Sequence, residues 1–193
     1  MPAAYVSELE RLLDQVRDLL GDGDDTKLPE ANGFVNQALQ LRPDSIEGWL
    51  LKCQIASAAG DDLAALAAVE MALQISNRGP LASFGGPIAD LIGPPEALYW
   101  RGAVLGDLGR HREALRSIEL ALRALVADDH WLLEDLFYEK VTILDALGLH
   151  DAAVATCERA LQKCPGSALL RAALAPAERA RVRSSLKVLR GGA

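Results

Sequence analysis

The chain has 193 residues, of which half are apolar and only 5% are aromatic, and it carries a net charge of −7 at pH 7. This length fits one domain or a short stack of repeats, and Ala and Leu, both good helix formers, must fill most of the core. No stretch approaches eighteen consecutive apolar residues, and the N-terminus lacks the basic start and apolar run of a secretory signal, so we expect no membrane span and a cytoplasmic location.

The first predicted elements are two helices on either side of an acidic turn. They cover about residues 4–20 and 29–41, and together they form a degenerate hairpin over residues 4–43. A calcium loop is excluded, because Lys27 stands where an EF-hand needs Gly and no Glu follows at the twelfth position. We therefore expect the turn to be a solvated loop.

Three later stretches repeat one frame, Gly-x4-Ala-x6-Ala-Leu, which predicts stacked helical hairpins. The glycine ends the first helix of each hairpin as a left-handed C-cap, and Asp61 or Asp62 can cap the second helix of the first full unit. The small alanines allow the two helices to approach closely. The three copies are Gly60/Ala65/Ala72/Leu73, Gly109/Ala114/Ala121/Leu122 and Gly148/Ala153/Ala160/Leu161, with a partial copy upstream at Ala31/Ala38/Leu39.

An apolar insertion rich in Gly and Pro, residues 78–94, separates two of these units. Its apolar side chains include Leu81, Phe84, Ile88 and Leu91, and leaving them in water would be costly. Two interpretations stay open: the insertion folds over a neighbouring hairpin, or it makes an accessory contact with a partner.

The segment 168–190 is predicted to be a capping helix, broken where Pro176 starts its second part. Its apolar stripe is Val182, Leu186 and Leu189, and its basic stripe is Arg179, Arg183, Lys187 and Arg190. Residues 167–193 carry +5, which leaves −12 for residues 1–166, so an acidic body precedes a basic end. We expect no nucleic-acid binding by the body, and the helix is either a cap or a docking element.

The frame and its flanking residues resemble the tetratricopeptide repeat, a 34-residue helical hairpin with large residues at positions 4, 11 and 24, small ones at 8, 20 and 27, Gly at 15 and Pro at 32. Residues 46–77, 95–126 and 134–165 match this pattern at nearly every position. The resemblance implies an all-α, right-handed solenoid in a single domain over residues 1–193.

In proteins of this family the first helix of each repeat lines a concave groove, chiefly through positions 2, 5, 9, 12 and 13. The resemblance therefore implies an acidic groove with two tyrosines in register, suited to a basic or amphipathic segment of another protein. A carboxylate clamp for chaperone C-termini is disfavoured, because the required Lys, Arg and Asn are missing. The predicted partner-binding residues are Glu47, Leu50, Gln54, Glu96, Tyr99, Ala103, Asp107, Asp135, Tyr138, Thr142 and Asp145.

Catalysis and metal binding find little support in the sequence. His111 and His150 occupy the same frame position in neighbouring units, too far apart to share a metal ion, and are predicted to be exposed turn residues. Cys53 and Cys157 are predicted to be buried thiols. No nucleophile is accompanied by a base in a recognisable motif, so we expect neither an enzyme nor a cofactor.

The sequence thus predicts a non-catalytic adaptor or scaffold that binds another protein in its groove. Two alternatives stay open. One is a dedicated chaperone for a secreted or assembling client, and the other is self-assembly, with the basic C-terminal helix of one copy in the acidic groove of another.

Overall fold

The computed structural model describes the backbone of residues 3–78, 94–125 and 130–191, and the side chains of residues 8–78, 94–125 and 131–183. Within these ranges the chain forms nine α-helices, one 3₁₀ turn at Asp25–Lys27 and no strand, so the all-α prediction is confirmed. The insertion residues Leu81, Phe84, Ile88 and Leu91 lie outside the described residues. The helices are α1 (Ala3–Gly21), α2 (Leu28–Leu41), α3 (Ile46–Ala58), α4 (Asp62–Ser76), α5 (Pro95–Asp107), α6 (His111–Ala124), α7 (His130–Ala146), α8 (His150–Lys163) and α9 (Ala168–Gly191).

The turns inside the three complete hairpins are built alike. Gly60, Gly109 and Gly148 have φ values of +73°, +72° and +73°, the left-handed conformation that favours glycine. In the first of these turns the Asp61 amide donates to the Ala56 carbonyl at 2.9 Å, and the Gly60 amide donates to the Ser57 carbonyl at 2.9 Å. This pair of hydrogen bonds satisfies carbonyls at the end of α3, as the predicted C-cap requires. The Asp61 side chain then accepts from the Ala64 amide at 3.0 Å and caps α4.

The frame alanines lie where the two helices of each hairpin touch. Ala65 and Ala72 of α4 are completely buried, as are their counterparts in α6 and α8 and in the partial copy in α2. In the contact between α5 and α6 the first helix also contributes a small residue, Gly102. Ile118 of α6 packs directly against the Gly102 backbone. Small side chains at these positions set the spacing within each hairpin.

The hairpins stack with their first helices in an inner layer. The first helices α1, α3, α5 and α7 contact one another in succession, α7 contacts α9, and each second helix packs against the first helix of the next hairpin. The second helices make no comparable contacts with one another in the described part of the chain. The stack therefore curves with α1, α3, α5, α7 and α9 on its concave side, as expected of a solenoid.

Helix α9 differs from the prediction. We expected a break at Pro176, but this residue lies inside one continuous helix from Ala168 to Gly191, so that prediction is wrong. Leu170 and Ala177, on either side of the proline, are buried against α7 and α8 and fix both halves in one direction. The Cys157 thiol of α8 also donates to the Leu170 carbonyl at 3.1 Å.

Helix α7 begins at His130, four residues before the repeat predicted at 134–165. The extra turn is held by Leu132, which is buried in the same cluster as Leu136 of the following turn. Trp131 on the other side of this turn is exposed.

The glycines of α5 provide a direct test of helix spacing. A Cβ at Gly102 would lie 2.4 Å from Cδ1 of Ile118, whereas a Cβ at Gly106 would meet nothing closer than Cγ1 of Ile143 at 4.0 Å. We expect Gly102→Ala to lower the free energy of unfolding by about 1–3 kcal/mol through overpacking.

The matched substitution Gly106→Ala, in the same helix, should raise the free energy of unfolding by up to about 1 kcal/mol through helix propensity. Urea denaturation of the two variants measures both effects. Equal stability of the two variants would show that the α5–α6 contact tolerates a wider spacing.

Candidate functional site

The candidate site is the concave surface formed by α3, α5 and α7. Of the eleven predicted partner-binding residues, ten keep accessible surface and one does not. Glu47, Asp107 and Thr142 are exposed, and the half-buried residues are Gln54, Glu96, Tyr99, Ala103, Asp135, Tyr138 and Asp145.

Leu50 is the residue that the structure does not place on the surface. It is 5% exposed and packs in the central core cluster with Ala97 and Leu98 of α5. Tyr99 and Tyr138 occupy the equivalent frame position, but their longer side chains stay half-buried. A leucine is too short to reach past the neighbouring helix. Leu50 therefore packs in the core beneath the groove surface and is not available to a partner.

Tyr99 stands at the centre of an acidic cluster made by Asp107, Asp135 and Glu139. Burial raises the pKa of the Tyr99 phenol to about 12, and the negative charges of the three carboxylates contribute to this shift. The phenol is therefore protonated and neutral across the physiological range. Tyr99 also packs edge-on against Trp100, with ring centroids 5.4 Å apart.

The carboxyl groups of the acidic cluster also titrate abnormally. Burial raises the pKa of Glu139, and the charges of Asp107 and Asp135 raise it further. Burial likewise raises the pKa of Asp135, with a contribution from Glu134. Partial burial raises the pKa of Asp107. Burial, together with repulsion by Asp107 and Asp135 at Glu139, thus makes these carboxyl groups harder to ionise than in water.

Sequence reasoning missed Glu139, because it does not occupy one of the family's groove positions. It follows Asp135 by four residues on α7, which places both carboxylates on one helix face. This spacing was the available signal.

The N-terminal end of the groove is closer to electrical balance. Arg17 of α1 forms an ion pair with Glu47 of α3 across the inner layer. Burial raises the pKa of Glu96 in α5, and the positive charge of Arg17 partly offsets that shift. Arg17 was not predicted, because the repeat frame does not extend to the first helix of the degenerate hairpin.

The C-terminal end of the groove contains an apolar slot between α7 and α9. The α7–α9 slot has a volume of about 260 Å³ and is lined by Tyr138 and Val141 of α7 and by Leu169, Ala173 and Pro176 of α9, among others. Asp145 lies at its rim and is hydrogen-bonded to Nδ1 of His150 at 2.7 Å. Tyr138 therefore faces this slot, whereas Tyr99 lies in the acidic cluster.

The predicted exposure of the two turn histidines is wrong. His111 and His150 are the first residues of α6 and α8, and both are half-buried. Nδ1 of His111 is buried without a hydrogen-bond partner among the described residues, because Gly106 stands where the next hairpin has Asp145. Both histidine side chains are thus partly covered at the starts of α6 and α8.

The cysteines show no sign of reactivity. Cys53 and Cys157 are completely buried, as predicted, and both are free thiols. Burial raises the pKa of Cys53 to about 12, so the nucleophilic thiolate is not populated near neutral pH. Across the described side chains, no three His, Cys, Asp or Glu residues are placed to hold one metal ion.

Solved structures of other proteins share this fold. The crystal structure of MamA protein is 15% identical and aligns over 95% of this chain and 88% of its own, with a TM-score of 0.66. A second MamA crystal structure is 17% identical over 83% and 84% of the two chains, with a TM-score of 0.62. YrrB, described as a TPR protein with an unusual peptide-binding site, is 15% identical over 94% and 85%, with a TM-score of 0.62.

These likenesses show that the chain has the fold of tetratricopeptide-repeat proteins, as its repeat frame predicts. No protein-family model matches the sequence, and no curated protein matches it either. Of the helices in the described ranges, none is both long and apolar enough to cross a membrane.

The raised pKa of Glu139 predicts a pH-dependent effect on stability. The folded state holds the Glu139 proton more tightly than the unfolded chain does, so ionised Glu139 destabilises the fold at neutral pH. This penalty disappears as the pH falls below the ordinary glutamate value of 4.5, where the group is protonated in both states. We expect Glu139→Gln to raise the melting temperature at pH 7, and the gain to vanish below that value.

Thermal unfolding followed by circular dichroism at several pH values measures this effect. Glu158→Gln, on the exposed side of α8, is the matched control and should change the melting temperature little at any pH. A lower melting temperature of Glu139→Gln at pH 7 would contradict the electrostatic account of the cluster.

Proposed function

We propose that this chain is a non-catalytic adaptor whose concave groove binds a basic segment of another protein. The observation that carries the proposal is the acidic cluster around Tyr99, which combines negative charge with a large apolar ring on an accessible concave surface. Proteins use this combination to hold Lys and Arg side chains.

The acidic cluster has no ion-pair partner among the side chains that the structure describes. Among the ion pairs formed by the described residues, none joins Asp107, Asp135 or Glu139 to a Lys or Arg side chain. Other groove and hairpin carboxylates are paired, as Glu47 is with Arg17 and Glu119 with Lys140. Burial raises the pKa values of the cluster, and at Glu139 the charges of Asp107 and Asp135 raise the pKa further. A bound cation would favour the ionised form of these carboxyl groups.

The neighbouring structures support the same type of activity. YrrB is described as having a peptide-binding site, and its fold aligns over 94% of this chain. A groove of the same architecture, lined here by tyrosine and carboxylates, is suited to an extended or helical segment of a partner. The absence of a reactive cysteine or a metal-ligand set in the described side chains fits a binding role better than a catalytic one.

Removing two charges from the cluster tests the adaptor proposal. We expect Asp135→Asn with Glu139→Gln to weaken binding of a labelled peptide of Gly, Ser and Lys by at least about tenfold, because both carboxylates face the same cation site. Fluorescence anisotropy measures the affinity. The affinity of the original protein should also fall as the pH is lowered through the raised pKa values of the cluster and as salt is added.

Two controls accompany this measurement. Glu158→Gln should bind the Lys peptide like the original protein, and a peptide with Glu in place of Lys should not bind either protein. An unchanged affinity of the double variant would show that the acidic cluster is not part of the binding site.

Self-assembly is a second candidate that the geometry of α9 favours. The helix runs to Gly191, but among its described side chains the last fully buried one is Ala177, and Val182 is 54% exposed. Between residues 178 and 183, no side chain is fully buried against the preceding hairpin. Its basic composition complements the acidic groove of another copy, and such a head-to-tail contact would extend into chains of molecules.

Truncation of the chain after Ala180 tests self-assembly while preserving the buried contacts of Leu170 and Ala177. If copies associate through α9, multi-angle light scattering will show concentration-dependent oligomers for the full chain and monomers for the truncated chain. The groove variant with Asp135→Asn and Glu139→Gln should lose the oligomers as well. A full chain that stays monomeric at every concentration excludes this candidate.

A further inference from the structure

Helix α9 packs against the stack in the manner of a first helix, although it lacks the repeat frame. In each of the preceding first helices, two positions seven residues apart are buried against the neighbouring hairpins, for example Leu136 and Ile143 of α7. Leu170 and Ala177 of α9 have the same spacing and are buried in the same way. Counted from these two residues, Arg179 and Ala180 take the last two groove positions of α9, and the first three groove positions are Leu169, Ala172 and Pro176.

Leu169, Ala172 and Pro176 make the part of the groove between α7 and α9 apolar. The residue just before the first buried position is acidic in the earlier helices, as with Glu96 in α5 and Asp135 in α7. In α9 that residue is Leu169, which is 37% exposed. Leu169, Ala172 and Pro176 all line the α7–α9 slot, so the character of the groove changes from acidic to apolar within one helix spacing.

One residue of the slot has lost its regular helical hydrogen-bond donor. Pro176 has no amide hydrogen, so the Ala172 carbonyl cannot receive the hydrogen bond that residue 176 of a regular helix would donate. Ala172 and Pro176 are one helical turn apart, and both residues line the slot.

We propose that the α7–α9 slot is an anchoring subsite for one apolar side chain of the bound segment, and that Ala172 accepts a hydrogen bond from an N–H group of the same segment. The proposal rests on the function proposed above and specifies its ligand: an extended segment with an aromatic or large aliphatic residue close to its basic residues. A volume of about 260 Å³ suits an inserted side chain better than a whole small molecule.

The spacing between anchor and charge follows from the architecture. The acidic cluster lies between α5 and α7, and the slot lies between α7 and α9, so the two are about one helix spacing, roughly 10 Å, apart. An extended chain advances about 3.3 Å per residue and covers that distance in about three residues. An extended segment also has backbone N–H groups available for the Ala172 carbonyl, whereas a helix has already paired most of its own.

Two labelled peptides separate the subsites. One contains Lys residues in a Gly and Ser background with a Trp three positions from the nearest Lys, and the other has Ser in place of that Trp. We expect the original protein to bind the Trp peptide at least about tenfold more tightly, because an aromatic ring leaves water. Equal affinities would contradict the anchoring role of the slot but not the binding of basic residues by the acidic groove. Failure to bind either peptide would contradict both proposals.

A matched pair of substitutions on α9 tests whether the preference for the Trp peptide comes from the slot. Ala172 and Ala175 are both exposed alanines of the same helix, but only Ala172 lines the slot. Ala172→Phe should fill the slot and abolish the preference, so that the Trp and Ser peptides bind this variant with equal affinity. Ala175→Phe should keep the preference. A Trp preference that survives in Ala172→Phe overturns the assignment.

Pro176→Ala tests the carbonyl and separates a binding role from a structural one. Alanine restores the donor for the Ala172 carbonyl and is a better helix former, so the melting temperature should rise. The preference for the Trp peptide should fall at the same time, because the acceptor is then occupied within the helix. A higher melting temperature with an unchanged preference overturns the role of the carbonyl.

Discussion

The close contact between the two helices of each hairpin is the constraint on which the rest of the structure depends. It requires side chains no larger than alanine at two places on each second helix, and at Gly102 it requires no side chain at all. In the three complete hairpins the turn between the helices is short, and a glycine in the left-handed conformation closes it. Identical hairpins then stack with a constant offset, and each first helix presents the same few positions to the concave side.

Because the offset is constant, the sequence predicts a large part of the structure. The frame alanines, the turn glycines and the buried thiols of Cys53 and Cys157 all lie where their spacing indicates. The groove positions follow from the same spacing. Spacing gives the direction of a side chain, however, and not its reach, so Leu50 is covered by the neighbouring helix while the larger Tyr99 at the same position is not.

The features that the sequence did not predict lie where the frame is absent or where groups interact between repeats. Arg17 and the groove residues of α9 belong to parts of the chain without a complete frame, and only the packing shows where they lie. Burial raises the pKa of Glu139, and the charge of Asp107, a residue of another hairpin, raises it further; no local pattern contains that pair. The continuity of α9 through Pro176 also depends on packing, since two buried contacts with the α7–α8 hairpin outweigh one lost hydrogen bond.

The acidic cluster and the proline of α9 both lower the stability of the free protein. Partly buried carboxylates with raised pKa values, and a helix that lacks a hydrogen bond, are local conflicts in a chain whose hairpins are otherwise regular. Both belong to residues of the candidate groove. Local conflicts of this kind commonly mark functional sites, and in the proposed complex the partner would supply a positive charge for the carboxylates and an N–H donor for the carbonyl.

The order of these features along the groove gives it a direction. The ion pair of Arg17 with Glu47 balances charge at the N-terminal end, carboxylates without an ion-pair partner among the described side chains act on Tyr99 in the middle, and Leu169 and Pro176 line an apolar slot at the C-terminal end. The proposed segment, with its basic residues on one side of an apolar residue, fits this surface in one orientation and places charges in the apolar slot in the other. Burying an unpaired charge there would be costly, so the proposed mode of binding implies one orientation of the bound segment.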